Sequence, residues 1–61
     1  MEESRAKFLN AYANVPSNFR KDVIAIIDKQ PYSWETAYFE VREKTKIGEK
    51  ILNKLKEIKL I

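Results

Sequence analysis

The chain has 61 residues, a formal net charge of +3, no cysteine and no histidine. Disulfides, Cys/His zinc sites and catalysis through a thiol or an imidazole are therefore excluded. A single domain is expected, because a chain this short buries only about 60% of the surface its unfolded form exposes.

Hydrophobic residues make up 44% of the chain and charged residues 34%, a balance that suits a globular protein rather than a disordered one. The longest apolar run, Val23 to Ile27, falls far short of the ~20 residues that span a bilayer. Met1-Glu2-Glu3 is acidic and no apolar h-region follows it, so a soluble cytoplasmic protein without a signal peptide is expected. Abundant Lys, Glu and Ile are compatible with a thermophilic source. The positive charge sits at one end. Residues 1–41 carry five basic side chains against six acidic ones, and residues 42–61 carry seven against three. That asymmetry suits either an anionic partner or a solubilising helix face.

One glycine and two prolines leave little punctuation, so the expected fold is all-α, a compact bundle of three to four helices. The first segment runs from Glu2 to Ala13. Its apolar face is Phe8, Leu9, Tyr12 and Val15, its first turn is acidic, and Asn14-Val15-Pro16 stops it. In the second, from Ser17 to Lys29, Phe19, Val23, Ile26 and Ile27 form a stripe that Ile24 widens. The β-branched run also reads as a strand, but polar flanks at helical spacing favour a central core helix that ends before Pro31.

The third segment opens on Ser33 as N-cap, with Tyr32 placed to staple against Ala37. Trp34, Ala37, Tyr38 and Val41 line its inner face, and Thr45 ends it and caps the next helix. The fourth runs from Lys46 to about Ile58 on a stripe of Ile47, Ile51, Leu55 and Ile58, with Leu52 at its margin. The stripe breaks after Ile58, so Leu60-Ile61 is expected to turn back onto the core.

No enzyme constellation is found. Gly48 alone cannot make a phosphate loop, the carboxylates are scattered, the lysines lie on polar faces, and a chain this short has no room for a deep pocket. No catalytic residue, metal site or cofactor is expected. Binding remains. Lys46, Lys50, Asn53 and Glu57 form a polar face on the fourth helix, with Lys54 at its edge and Arg42 and Lys44 just upstream. Lysine suits phosphate and asparagine suits base edges. Four or five phosphate contacts would give a salt slope of roughly −4. Most aromatic residues fit core stripes. Phe39 does not, and either the bundle wraps the third helix on two sides or Phe39 anchors a partner protein.

The stretch from Phe19 to Ile61 resembles a winged-helix or helix-turn-helix domain. The features that carry the likeness are the apolar segment Phe19 to Asp28, the turn Gln30-Pro31-Tyr32-Ser33, a short helix, a turn at Thr45, and a last helix closing on Leu55-Lys56-Glu57-Ile58-Lys59-Leu60-Ile61. That ending is similar to the close of many recognition helices, with Lys59 where the family usually has glycine. The resemblance implies that Lys46, Glu49, Lys50 and Asn53 face a DNA groove, with Arg42, Lys44 and Lys54 nearer the backbone. It also implies a wingless version, suited to weak DNA binding or to protein docking. The leading expectation is a non-catalytic module associated with nucleic acid through its C-terminal helix. The alternatives are a small accessory subunit that binds a larger protein through Phe39, and a homodimer joined through Leu52, Leu60 and Ile61. No membrane partner is expected.

Overall fold

A computed structural model describes residues 2–61. The chain runs through α1 (Glu2–Ala13), a 3-10 turn (Ser17–Phe19), β1 (Val23–Ile27), β2 (Gln30–Ser33), α2 (Trp34–Arg42) and α3 (Lys46–Glu57). The all-α expectation is overturned: this is a mixed α+β fold in which a two-stranded antiparallel sheet lies among three helices.

The difference lies between Phe19 and Ser33, where a helix was expected. Val23, Ile24, Ile26 and Ile27 are β-branched, and their side chains lose rotamer freedom in a helix but fit a pleated surface. From Ala25 to Ile27 burial follows the two-residue period, with Ala25 and Ile27 facing the core and Ile26 facing out, and beyond the bulge Val23 is exposed as well. A two-residue turn at Asp28 and Lys29, with φ of 50° and 70°, reverses the chain, as a type I′ hairpin requires. Ile27 pairs with Gln30, Ile26 with Pro31 and Ala25 with Tyr32, and a bulge follows before Val23 meets Ser33. Phe19, expected in the core, lies in the 3-10 turn and is exposed.

The other elements form where the sequence places them. Helix α1 buries Phe8 and attaches to α2 through aromatic rings, Phe8 against Trp34 at 5.8 Å and Tyr12 against Tyr38 at 4.3 Å between centroids. Ser33 caps α2: its hydroxyl accepts from the Thr36 N–H, and its own N–H donates to Thr36 Oγ1. The next two donors of α2 reach further back along the chain. Trp34 N–H donates to the Asp22 carbonyl at 3.2 Å and Glu35 N–H to the Arg20 carbonyl at 3.0 Å.

Helices α2 and α3 meet across a three-residue turn. At its start Thr45 N–H donates to the Glu40 carbonyl and Lys44 N–H to the Val41 carbonyl, with Lys44 left-handed at φ 58°, a Schellman ending built on lysine. Thr45 then caps α3 by accepting from Gly48 N–H at 2.9 Å, and its hydroxyl donates to Glu40 Oε1 at 2.6 Å. The same ending recurs after α3. Lys59 is left-handed at φ 62°, Lys59 N–H donates to the Lys56 carbonyl, and Leu60 N–H donates to that of Leu55. This turn sends Leu60-Ile61 back, and Ile61 packs on the core.

Gly48 is where the two helices touch backbone to backbone. A Cβ there would lie 2.4 Å from the Glu40 carbonyl oxygen. Around this crossing the core closes on Phe8, Ala25, Ile27, Ala37, Val41, Ile51, Leu52 and Leu55.

Candidate functional site

Because α3 buries Gly48, Ile51, Leu52 and Leu55, its helical period turns Lys46, Lys50, Asn53 and Glu57 outward. Lys54 lies half-buried at the edge of this face and Glu49 on its other flank. The face is not purely cationic. Lys50 Nζ is 2.7 Å from Asp28 Oδ2, and Lys54 Nζ is 3.9 Å from Glu57 Oε1. Both pairs are exposed, and such pairs contribute only about 0–1 kcal/mol, so a phosphate can displace either carboxylate at small cost. Lys46 has no carboxylate partner among the described residues.

The Lys50–Asp28 pair brings in a group that sequence reasoning missed. It holds the hairpin tip beside the middle of α3, and the tip carries Lys29. Contact across 22 residues leaves no local sequence signal, and the tip exists only because β1 is a strand.

Two predicted members lie elsewhere. Arg42 stacks over Tyr38 and over Phe39, 5.8 Å from each ring centre, and reaches Glu43 at 3.1 Å. It ends a ladder that runs from the Arg20 guanidinium to Tyr12 at 4.6 Å, then to Tyr38 and Arg42. Lys44, exposed at the turn, lines a cleft of about 200 Å³ with Glu2, Arg5, Val41, Gly48, Glu49 and Leu52. The predicted basic surface is therefore divided: Lys46, Lys50, Asn53 and Lys54 share one side of α3, Arg42 joins the aromatic ladder, and Lys44 and Glu49 line the cleft.

The predicted partner-binding residues also separate. Phe39 is 54% exposed beneath Arg42. Leu52 is 3% exposed and belongs to the core, so it offers no docking surface. Leu60 is exposed beyond the end of α3 and Ile61 is half-buried. A larger apolar feature was not anticipated. Val23 (57% exposed), Ile26 (63%) and Ile58 (53%) stand around a shallow groove between β1 and the C-terminal end of α3, lined also by Ile24, Ala25 and Lys54. The signal was present in the β-branched run, but a helical reading placed those side chains inside.

Among the described residues no group of acidic side chains is placed to hold a metal ion, and no helix is long and apolar enough to cross a membrane. No family model, no curated protein and no solved structure matches this chain.

Proposed function

We propose that this protein is a non-catalytic module that associates with nucleic acid through the outward face of α3. The observation that carries the reading is the α2–turn–α3 unit. Gly48 and the Thr45 cap fix α3 against α2 through its inner face, leaving Lys46, Lys50 and Asn53 exposed along the outer one. Cations on a rigid helix suit phosphate, an asparagine beside them suits a base edge, and helix-turn-helix units present their second helix in this way. Lys29 at the hairpin tip adds a further cation beside the face. The first helix of the family likeness is absent, because Phe19 to Asp28 forms a turn and a strand. The reading therefore rests on the α2–α3 unit alone.

With about four phosphate contacts the salt slope is about −3.6, and affinity falls on the order of a hundredfold between 50 and 200 mM salt. Fluorescence anisotropy with a labelled duplex, titrated at several salt concentrations, measures this directly. Lys46→Glu combined with Lys50→Glu is expected to abolish binding while leaving the circular dichroism spectrum unchanged. No binding by the unmodified chain at low salt, or binding that the double variant retains, would refute the assignment.

A further inference from the structure

Of Lys46, Lys50 and Lys54 along α3, only Lys50 is hydrogen-bonded to a carboxylate. Its Nζ stands 2.7 Å from Asp28 Oδ2, and both side chains are more than half exposed. Lys46 has no such partner among the described residues, and the 3.9 Å from Lys54 Nζ to Glu57 Oε1 is too long for a hydrogen bond. Asp28 lies 22 residues away in the chain. It is the first residue of the hairpin turn, at φ 50° with Lys29 at 70°, a conformation that aspartate and asparagine accept more readily than most residues. The hairpin therefore delivers an anion to the middle of a face whose cations suit phosphate.

A carboxylate and a phosphate offer an ammonium group the same thing, charged oxygens that accept short hydrogen bonds. Lys50 has three N–H donors, but two anions gathered on one ammonium lie close enough to repel each other. A phosphate that takes Lys50 thus replaces Asp28 rather than joining it.

We propose that Asp28 is a built-in competitor for the phosphate that Lys50 takes: the free protein holds Lys50 latched to the hairpin tip, and nucleic acid binds at full strength only when the latch is open. The inference rests on the nucleic-acid reading of α3 and adds a restraint on it. An exposed pair favours its closed form by no more than about fivefold, so the latch weakens binding by about two- to fivefold. It also makes the lysines unequal. Lys46 reaches a phosphate without giving up a bond, whereas Lys50 must first leave Asp28. The same exchange removes the hydrogen bond that ties the hairpin tip to α3.

A double-mutant cycle, read by fluorescence anisotropy with a labelled duplex at one low salt concentration, tests the latch. Asp28→Asn keeps a residue suited to the turn and Lys50→Gln keeps a good helix former, so the single and double variants should retain the circular dichroism spectrum. Should either lose it, Asp28→Ser and Lys50→Met serve instead. Asp28→Asn is expected to tighten binding, and its gain should be about two- to fivefold larger with Lys50 present than with Lys50→Gln. Glu57→Gln removes a carboxylate from the same helix face without touching the latch, and its gain should be the same in both backgrounds. An Asp28→Asn gain that does not depend on Lys50 overturns the latch and leaves the nucleic-acid reading standing. So does a gain that grows once Lys50 is replaced, since Asp28 would then be positioning Lys50 rather than competing for it. No binding at low salt by either the unmodified chain or Asp28→Asn overturns both.

Discussion

Replacing Gly48 by alanine sets two effects of opposite sign against each other. In an exposed helix the change stabilises by about 1 kcal/mol, because glycine is the poorer helix former. Here the added Cβ would lie 2.4 Å from the Glu40 carbonyl oxygen, 2.8 Å from its carbon and 3.1 Å from Val41 Cα. All three atoms are backbone, so no side-chain rotation relieves the overlap and the helices must move apart. The same carbonyl accepts the Thr45 N–H at 3.2 Å, so the movement loosens the turn as well as the packing of Val41, Ile51 and Leu52. Overpacking of this kind costs about 1–3 kcal/mol or more, and backbone against backbone belongs at the upper end. After the propensity gain is subtracted, a net loss of about 1–2 kcal/mol remains. For a domain of this size that lowers Tm by about 5–15 °C. Thermal unfolding followed by circular dichroism at fixed protein concentration reads the shift. An unchanged or raised Tm would refute the close crossing of α2 and α3.

The two left-handed lysines that end the helices lead to the opposite expectation. Lys44→Gly and Lys59→Gly each relieve a side chain at positive φ, and after the added entropy of the unfolded chain each should stabilise by about 0.5–1 kcal/mol, seen as a higher urea midpoint with unchanged m. Thr45→Ala removes both the cap on Gly48 N–H and the bond to Glu40 Oε1, and should cost about 1–2 kcal/mol in the same assay. Thr45→Ser should recover most of that loss.

The features legible in the sequence were the local ones. Ser33 and Thr45 announce helix starts because their side chains bond to donors three residues ahead. Helix α3 follows from a stripe that only one period fits. The run Val23 to Ile27 was ambiguous because five consecutive apolar residues satisfy either period when both faces are apolar. The usual hairpin signal, Asn-Gly or Asp-Gly, is missing, and Asp28-Lys29 takes up the left-handed pair without glycine. Misreading that run hid the hairpin tip beside Lys50 and the exposed edge of β1, and it placed Phe19 in the core. Gly48 was noticed for the phosphate loop it could not form. Its role depends on which residue of α2 crosses it, and only the fold decides that.

The two backbone bonds that run from the start of α2 to Asp22 and Arg20 have a consequence for how this small molecule comes apart. They satisfy the first donors of α2 with carbonyls from the segment that leads into β1, so hairpin and helix share one set of bonds. Neither can open without exposing the polar groups of the other, and the stretch from Arg20 to Arg42 should therefore unzip as one cooperative unit. Helix α1 makes no hydrogen bond to the hairpin, α2 or α3 among the described residues and is held to them by ring contacts and apolar packing. Its departure sacrifices packing but no inter-element hydrogen bond, so the first excursion from the native state is the detachment of α1, leaving hairpin, α2 and α3 together.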